Sequence, residues 1–281
     1  MDENEFYRDL NKRVKGFLKE NNLAQKGGRE IMTKAIILLT SFFALKLLIY
    51  TNPMHWIFVL ILYYVLGRVM ASIGMGVMHD ASHGTFSNTP WVNTLMAATI
   101  MLFAGTTFNW RVQHVMKHHN HTNVDHYDED TDAGVFLRLT KSQEWKWYHV
   151  IQRYPFIVKT LYSLLTIKWA IFSDFKQAKT YLKEDIDKYP SRVSVYARII
   201  LAKLFLVWFW IILPISLDMN WKLVLSGCVV MHLACGKRLA TVFQLAHINS
   251  SAKTFPETNA FNHHRIIHQF ETTSNFGTDN A

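Results

Sequence analysis

Between His83 and His114 runs an apolar stretch, Trp91 to Phe108, of eighteen residues. Histidine clusters flank it: His79-Asp-Ala-Ser-His83 before, and His114-Val-Met-Lys-His118-His119 after. Residues four apart share a helix face, so His79 with His83, and His114 with His118, can each aim two imidazoles at one centre. His119 sits one residue further round, able to reach a neighbouring metal or to brace its neighbour. A straight crossing would put about 30 Å of hydrocarbon between the two clusters. If they build one site, the stretch must dip in and return, or lie in the interface. Gly105, Thr106 and Thr107, with Trp91 and Trp110 as anchors, suit that path. Surface scatter is the ordinary reading of a single histidine pair; two clusters at these spacings point to a shared metal. Imidazole suits Fe, Zn, Cu and Ni, so ligand type does not choose among them.

The rest of the chain supplies the membrane. Half of the 281 residues are hydrophobic and only 18% are charged. Ile31–Tyr50 and Met54–Met78 are the first two candidate spans, broken at Asn52-Pro53; Lys34 and Lys46 lie near the ends of the first or on one face. Arg198–Leu217 and about Leu223–Ala246 are the third and fourth. The first thirty residues carry Arg8, Lys12, Arg13, Lys15, Lys19, Lys26 and Arg29, whereas the linker between the first two spans has no Lys or Arg. The positive-inside rule then puts the N-terminus in the cytoplasm and returns the second span there at His79. No cleaved signal peptide is expected. Phe6, Leu10, Val14 and Phe17 permit a short amphipathic helix on the membrane surface, and a solvated tail is the equal alternative.

Trp145–Tyr154 and Pro155–Phe175 read as helices, the latter apolar enough to lie on the bilayer; Lys176–Pro190 reads as a solvated connector. Lys237 and Arg238 fall inside the fourth span, where charge is expensive unless it faces protein or water. His247 closes that span on the histidine side. The fold expected is thus all-α: about four transmembrane helices, interfacial helices, and a cytoplasmic histidine-rich cap.

Other readings fall away. The net charge of +9 flanks apolar runs, which suits anionic lipid headgroups and not nucleic acid. Cys228 and Cys235 have no CxxC spacing, so neither a disulfide framework nor a zinc knuckle is implied. In the acidic run from Asp128 the glycine comes at position seven and Leu139 at twelve, which is wrong for a calcium loop; a solvated loop, or one that supports the metal site, fits better. His55, His121, His126, His149 and His232 are expected to be structural.

The segments His79-Asp-Ala-Ser-His83-Gly and Asn109-Trp-Arg-Val-Gln-His-Val-Met-Lys-His-His-Asn-His-Thr-Asn123 resemble the first two histidine boxes of membrane fatty acid desaturases. Asp128-Glu-Asp-Thr-Asp-Ala-Gly134, Phe243-Gln-Leu-Ala-His247 and His268-Gln-Phe-Glu-Thr-Thr-Ser-Asn-Phe276 continue the resemblance in order. It covers the chain from about residue 50 and is nearest to the acyl-CoA or acyl-lipid branch with linoleoyl and front-end enzymes. The resemblance implies two iron ions, O2 as co-substrate, and removal of two hydrogens from an acyl chain. It implies His79, His83, His114, His118, His119 and His247 as iron ligands, with Asp80 fixing an imidazole tautomer and His268 in a supporting or structural role. Two parts are expected, a cytoplasmic segment 1–30 and a desaturase domain 31–281. The family's third box, a Gln-x-x-His-His segment, should follow Phe276 and is not within these residues, so the domain is expected to be incomplete at its C-terminal end; His263-His264 is a poor substitute.

An unactivated C–H bond offers nothing to acid–base catalysis, so a metal must carry the oxidation while the protein positions the chain and excludes water. An elongated apolar slot beside the metals is expected. No His-Pro-Gly-Gly haem motif of a fused cytochrome b5 is present, which implies a separate electron donor, a ferredoxin or free cytochrome b5. The rivals are a membrane di-iron hydroxylase of a lipid or hydrocarbon, and a non-catalytic truncated paralogue.

Overall fold

The computed structural model describes residues 3–51, 55–131, 134–183, 190–249, 251–256 and 265–274; the side chains of Trp169 and of residues 243–247 lie outside that description. Nine helices order the described residues. They are α1 Glu3–Glu20, α2 Arg29–Thr51, α3 Trp56–Ser82, α4 Pro90–Phe103, α5 Thr107–Asn120, α6 Pro155–Tyr181, α7 Arg192–Ser216, α8 Trp221–His247 and α9 Arg265–Thr272. A short 3₁₀ turn, Trp147–Arg153, precedes α6. A single isolated bridge, Val124 to Phe255, is the one β pairing among the described residues.

Five helices, α2, α3, α6, α7 and α8, are long and apolar enough to cross a membrane. Four are the expected spans. The fifth, Pro155–Tyr181, extends the stretch read as lying on the bilayer to 27 residues, so its length and composition equally permit a crossing. Outward faces such as Ile36, Ile37, Phe43 and Leu47 of α2, or Leu201, Leu204 and Val207 of α7, are apolar and exposed, which is what a lipid-facing surface requires. The protein is an integral membrane protein.

With no hydrophobic drive between helices in lipid, close backbone approach holds them together. Gly67 of α3 makes this concrete: a Cβ there would stand 2.2 Å from the Met231 carbonyl oxygen of α8. The core of this bundle is Phe42, Tyr63, Leu66, Met70, Trp210 and Met231. Helix α6 joins α8 where Ser163 Oγ donates to the Leu233 carbonyl at 3.3 Å.

Charges inside the bundle meet backbone left free by helix irregularities. In α7 a wide turn over Trp208–Ile212 makes Leu213 N bond to Trp208 O, and Pro214 has no N–H to give. The carbonyls of Phe209 and Trp210 therefore lose their normal partners. The ammonium of buried Lys46 takes the first at 3.0 Å, and Cys228 Sγ the second at 3.4 Å. Lys237, the charge with no evident role in the sequence, lies over the Phe156 ring at 4.8 Å, a cation–π contact.

The stretch between the histidine clusters does turn back. Helices α4 and α5 meet at 104°, with Ala104 in the left-handed region at φ 61°. Thr106 caps the second half, accepting from Asn109 N at 3.3 Å. The Lys203 ammonium holds this corner: it donates to Ala104 O at 2.9 Å, to Ala170 O and to buried Asp174, whose carboxylate accepts from Asn109 Nδ2 at 2.8 Å. One buried ion pair thus ties α5, α6 and α7 to the bend, just before His114. At the surface, α1 is the amphipathic helix the spacing allows, and its Phe6 ring packs edge-on at 6.4 Å against Phe270 of α9.

Candidate metal centre

Helix α3 ends in a wide turn, Gly74–Met78, in which His79 N bonds to Gly74 O. Such i→i+5 turns concentrate at functional sites. After one further turn the helix closes at Gly84, φ 68°: Gly84 N donates to Ala81 O and Thr85 N to Asp80 O, both at 3.0 Å. This double closure needs the left-handed residue that glycine supplies, and it leaves His83 as the residue that caps the helix. A second wide turn, Arg111–Lys117, carries His114, and His118 N reaches back to Gln113 O.

The two clusters meet. His79 Nε2 and His119 Nε2 stand 3.0 and 3.1 Å from His114 Nε2. One ring nitrogen from each of His79, His83, His114 and His119 falls within a 4.8 Å group. The i,i+4 reasoning paired His114 with His118; the wide turn instead brings the i+5 residue, His119, into this group. His118 stays beside it, its ring stacked on His114 at 5.1 Å, and forms a second possible group with His114 and Asp130.

Carboxylates hold the outer edges of the rings. His79 Nδ1 lies 3.2 Å from Asp80, His114 Nδ1 2.7 Å from Asp130 and His118 Nδ1 2.8 Å from Asp128. A proton on each Nδ1 satisfies its carboxylate and leaves a lone pair on Nε2. Lone pairs of His79 and His114 facing each other at 3.0 Å repel unless a cation lies between them. His83 Nε2 is buried with no partner, an orphan a metal would satisfy. The donor set therefore fits a metal ion.

Burial disfavours the charged form of three of the rings. Together with His79 and His114 it pushes His83 down to about 4, and it lowers His114 and His119 likewise. His118 goes the other way: burial disfavours its proton, but Asp128 and Asp130 outweigh that and raise it.

The carboxylates are themselves held. Asp128 accepts from Asn123 N at 2.8 Å and from Asp130 N at 3.0 Å. Asp130 accepts from Gln113 Nε2 at 2.8 Å, and Gln177 of α6 supports Gln113 at 2.8 Å. The run from Asp128 is thus the support of the second cluster, as one of the two sequence readings had it. Lys34 reaches Asp80 at 4.0 Å. His268 lies away from the cluster with Nε2 at 2.8 Å from Thr122 O, and Gln269 donates to His119 O at 3.2 Å; helix α9 braces the loop that follows the second cluster. The His247 side chain and His263–His264 lie outside the described residues. Of the histidines expected to be structural, His149 bonds to Val135 O at 2.9 Å and His232 to Cys228 O at 3.0 Å.

Beside the histidines opens a cavity of about 440 Å³. His118, Asp130 and Gln113 line one part of it, and Met75, Met78, Phe103, Leu165 and Leu239 are among its apolar walls.

The fatty acid desaturase family profile matches residues 54–280. This chain belongs to the fatty acid desaturase family. Among curated relatives it is similar to an sn-1 linoleoyl-lipid 6-desaturase of Arthrospira platensis, 26% identical over 98% of this chain and 74% of that protein. A protein of the same description from Synechocystis is 27% identical over 98% of this chain and 77% of its own length. An acyl-lipid (8-3)-desaturase of Physcomitrium patens is 28% identical over 88% of this chain and 52% of that one. No solved structure matches the chain. The desaturase family places the chain among oxidoreductases acting on fatty acyl substrates.

Proposed function

We propose that this desaturase inserts a double bond into an acyl chain at a di-iron centre held by His79, His83, His114, His118 and His119, with His247 as a further ligand from α8. One observation carries the reading: four imidazole nitrogens converge within 4.8 Å beside a largely apolar cavity of about 440 Å³, in a chain of this family. When bound, the irons supply O2-dependent abstraction of two hydrogens from an unactivated C–H pair.

The chain's own residues do the rest. Asp80, Asp128 and Asp130 hold protons on Nδ1 and so direct the Nε2 lone pairs inward. The clamp of Lys203 and Asp174 fixes the corner from which α5 carries His114. The cavity walls bind and align the alkyl chain, and exclude water from the oxidising centre. His268 braces the second cluster through Thr122. The electrons come from a ferredoxin or cytochrome b5, which meets the histidine side. The basic N-terminal segment, residues 1–30, sets that side in the cytoplasm, and 31–281 is the desaturase domain.

The test supplies purified chain in lipid with acyl substrates, O2 and a reductase system, and reads products by mass spectrometry. A product two hydrogens lighter, absent in His118→Ala, is expected. A hydroxylated product, or unchanged turnover in His118→Ala, would overturn the reading.

A further inference from the structure

Helix α1 carries two opposed faces. At about 100° per residue, Phe6, Leu10, Val14 and Phe17 fall within an arc of about 80°, and Arg8, Lys12, Lys15 and Lys19 within about 60° on the far side. Among the described residues, none of α1 belongs to the buried cores of the bundle. Phe6, at one end of the apolar arc, packs against Phe270 of α9. Further along, Val14 and Phe17 stand 48% and 59% exposed. A single helix of 18 residues gains little in water from an apolar face left open. At a membrane surface the same face is buried.

Charge and position name the occupant. From Arg8 to Arg29 the chain has seven basic residues and two acidic ones, and one of the acids, Asp9, is paired with Arg13 at 2.7 Å. Arg29 opens α2, which is long and apolar enough to cross the membrane. Gly27 and Gly28, at φ 67° and 119°, turn the chain between the two helices. Helix α1 therefore ends close to the headgroup layer in which α2 begins, and an excess of cations there matches anionic lipid.

Both ends of this segment are tied to the supports of the histidine clusters. Gly27 N donates to Thr85 O at 2.7 Å, and a Cβ at Gly27 would stand 2.9 Å from Phe86 O. Thr85 in turn donates to Asp80 O through its N at 3.0 Å and its Oγ1 at 2.9 Å, beside the first cluster. At the other end, Phe270 follows His268 and Gln269, which hold Thr122 O and His119 O at the second cluster. We propose that α1 docks on the anionic headgroup layer of the leaflet on the histidine side and, seated there, straps the supports of the two clusters together. The apolar arc enters the boundary of headgroups and acyl chains, and the long Lys and Arg stems carry their charges to the phosphates. The order of the site then depends on the charge of the leaflet.

The experiment is amide hydrogen exchange read by mass spectrometry on the full chain in bilayer discs, of phosphatidylcholine alone or of phosphatidylcholine and phosphatidylglycerol in equal parts. It needs no turnover. In the wild type the amides of α1, of Thr85 and Phe86, and of residues 265–272 all exchange more slowly in the mixed lipid. A basic residue at an anionic surface contributes about fivefold. Lys12→Gln with Lys15→Gln therefore speeds exchange in α1 by about 25-fold in the mixed lipid and leaves it unchanged in phosphatidylcholine. Phe270→Ala keeps α1 slow but frees residues 265–272 from their dependence on lipid. Equal exchange of α1 in the two lipids, or no response to the Lys12 and Lys15 pair, would overturn the docking. Exchange at Thr85, Phe86 and residues 265–272 that ignores the lipid would overturn the strap. Slowing that follows the ratio of protein to lipid, and not phosphatidylglycerol, gives the face to a second copy of the chain and overturns the proposal as well.

Discussion

The two histidine clusters are built differently. His79 and His83 come from the end of one helix, and Asp80, the carboxylate beside them among the described residues, keeps 29% of its side chain exposed. His114 and His118 are buried, each bonded to a carboxylate; Asn123 and Gln113 hold those carboxylates, and Gln177 holds Gln113. The Asp128 side chain has no exposed surface at all. The first cluster is set by local helix geometry; the second is a buried network spanning α5, the loop after it and α6. Damage to the second should therefore cost more.

The largest effect is expected at the joint between them. His114→Ala removes the nitrogen that both His79 and His119 face, and metal content measured by mass spectrometry should fall to background with turnover lost. Retained metal would mean that the clusters bind independently. Next come the supports. Asp130→Asn should lower metal affinity by about 10- to 100-fold, the usual range for a group that orients a ligand, as read by competition with a chelator. Asp80→Asn should cost less, since water can replace an exposed carboxylate; equal losses would erase the contrast between the clusters.

Lys203→Met tests the corner. It leaves Asp174 buried without its cation, a change worth about 3–5 kcal/mol, seen as a lower thermal midpoint with the histidine ligands intact. The smallest effect is on pH. In the metal-free protein His83 resists protonation until about 4, whereas the unfolded chain takes that proton near 6.5. The unfolded state therefore binds more protons in that window, and stability falls as pH drops from about 6.5 to 4. His83→Gln should flatten that part of the profile of thermal midpoint against pH.

Much of this was legible in residue order. Spacing placed His79 beside His83, and the requirement for one site placed both clusters together, which forced Trp91–Phe108 to turn. What spacing could not show was the wide turn at Arg111–Lys117, because a regular helix repeat pairs His114 with His118 and leaves His119 aside. Lys203 and Asp174 were equally hidden: their partnership joins residues 29 positions apart, and its meaning depends on a third element, the bend at Ala104. Lys46 reads only as a charge near an end or on one face of the first span until the orphaned Phe209 carbonyl is seen. Asp128 and Asp130 lie in a run that composition alone allows to be solvent-exposed.

The central claim is that His79, His83, His114 and His119 hold one metal in common. The most direct measurement is metal content of the purified wild type and of His119→Ala, with helicity checked by circular dichroism. The wild type is expected to retain iron after dialysis, and His119→Ala to lose it while staying folded. Full iron retention in a folded His119→Ala protein would contradict the account.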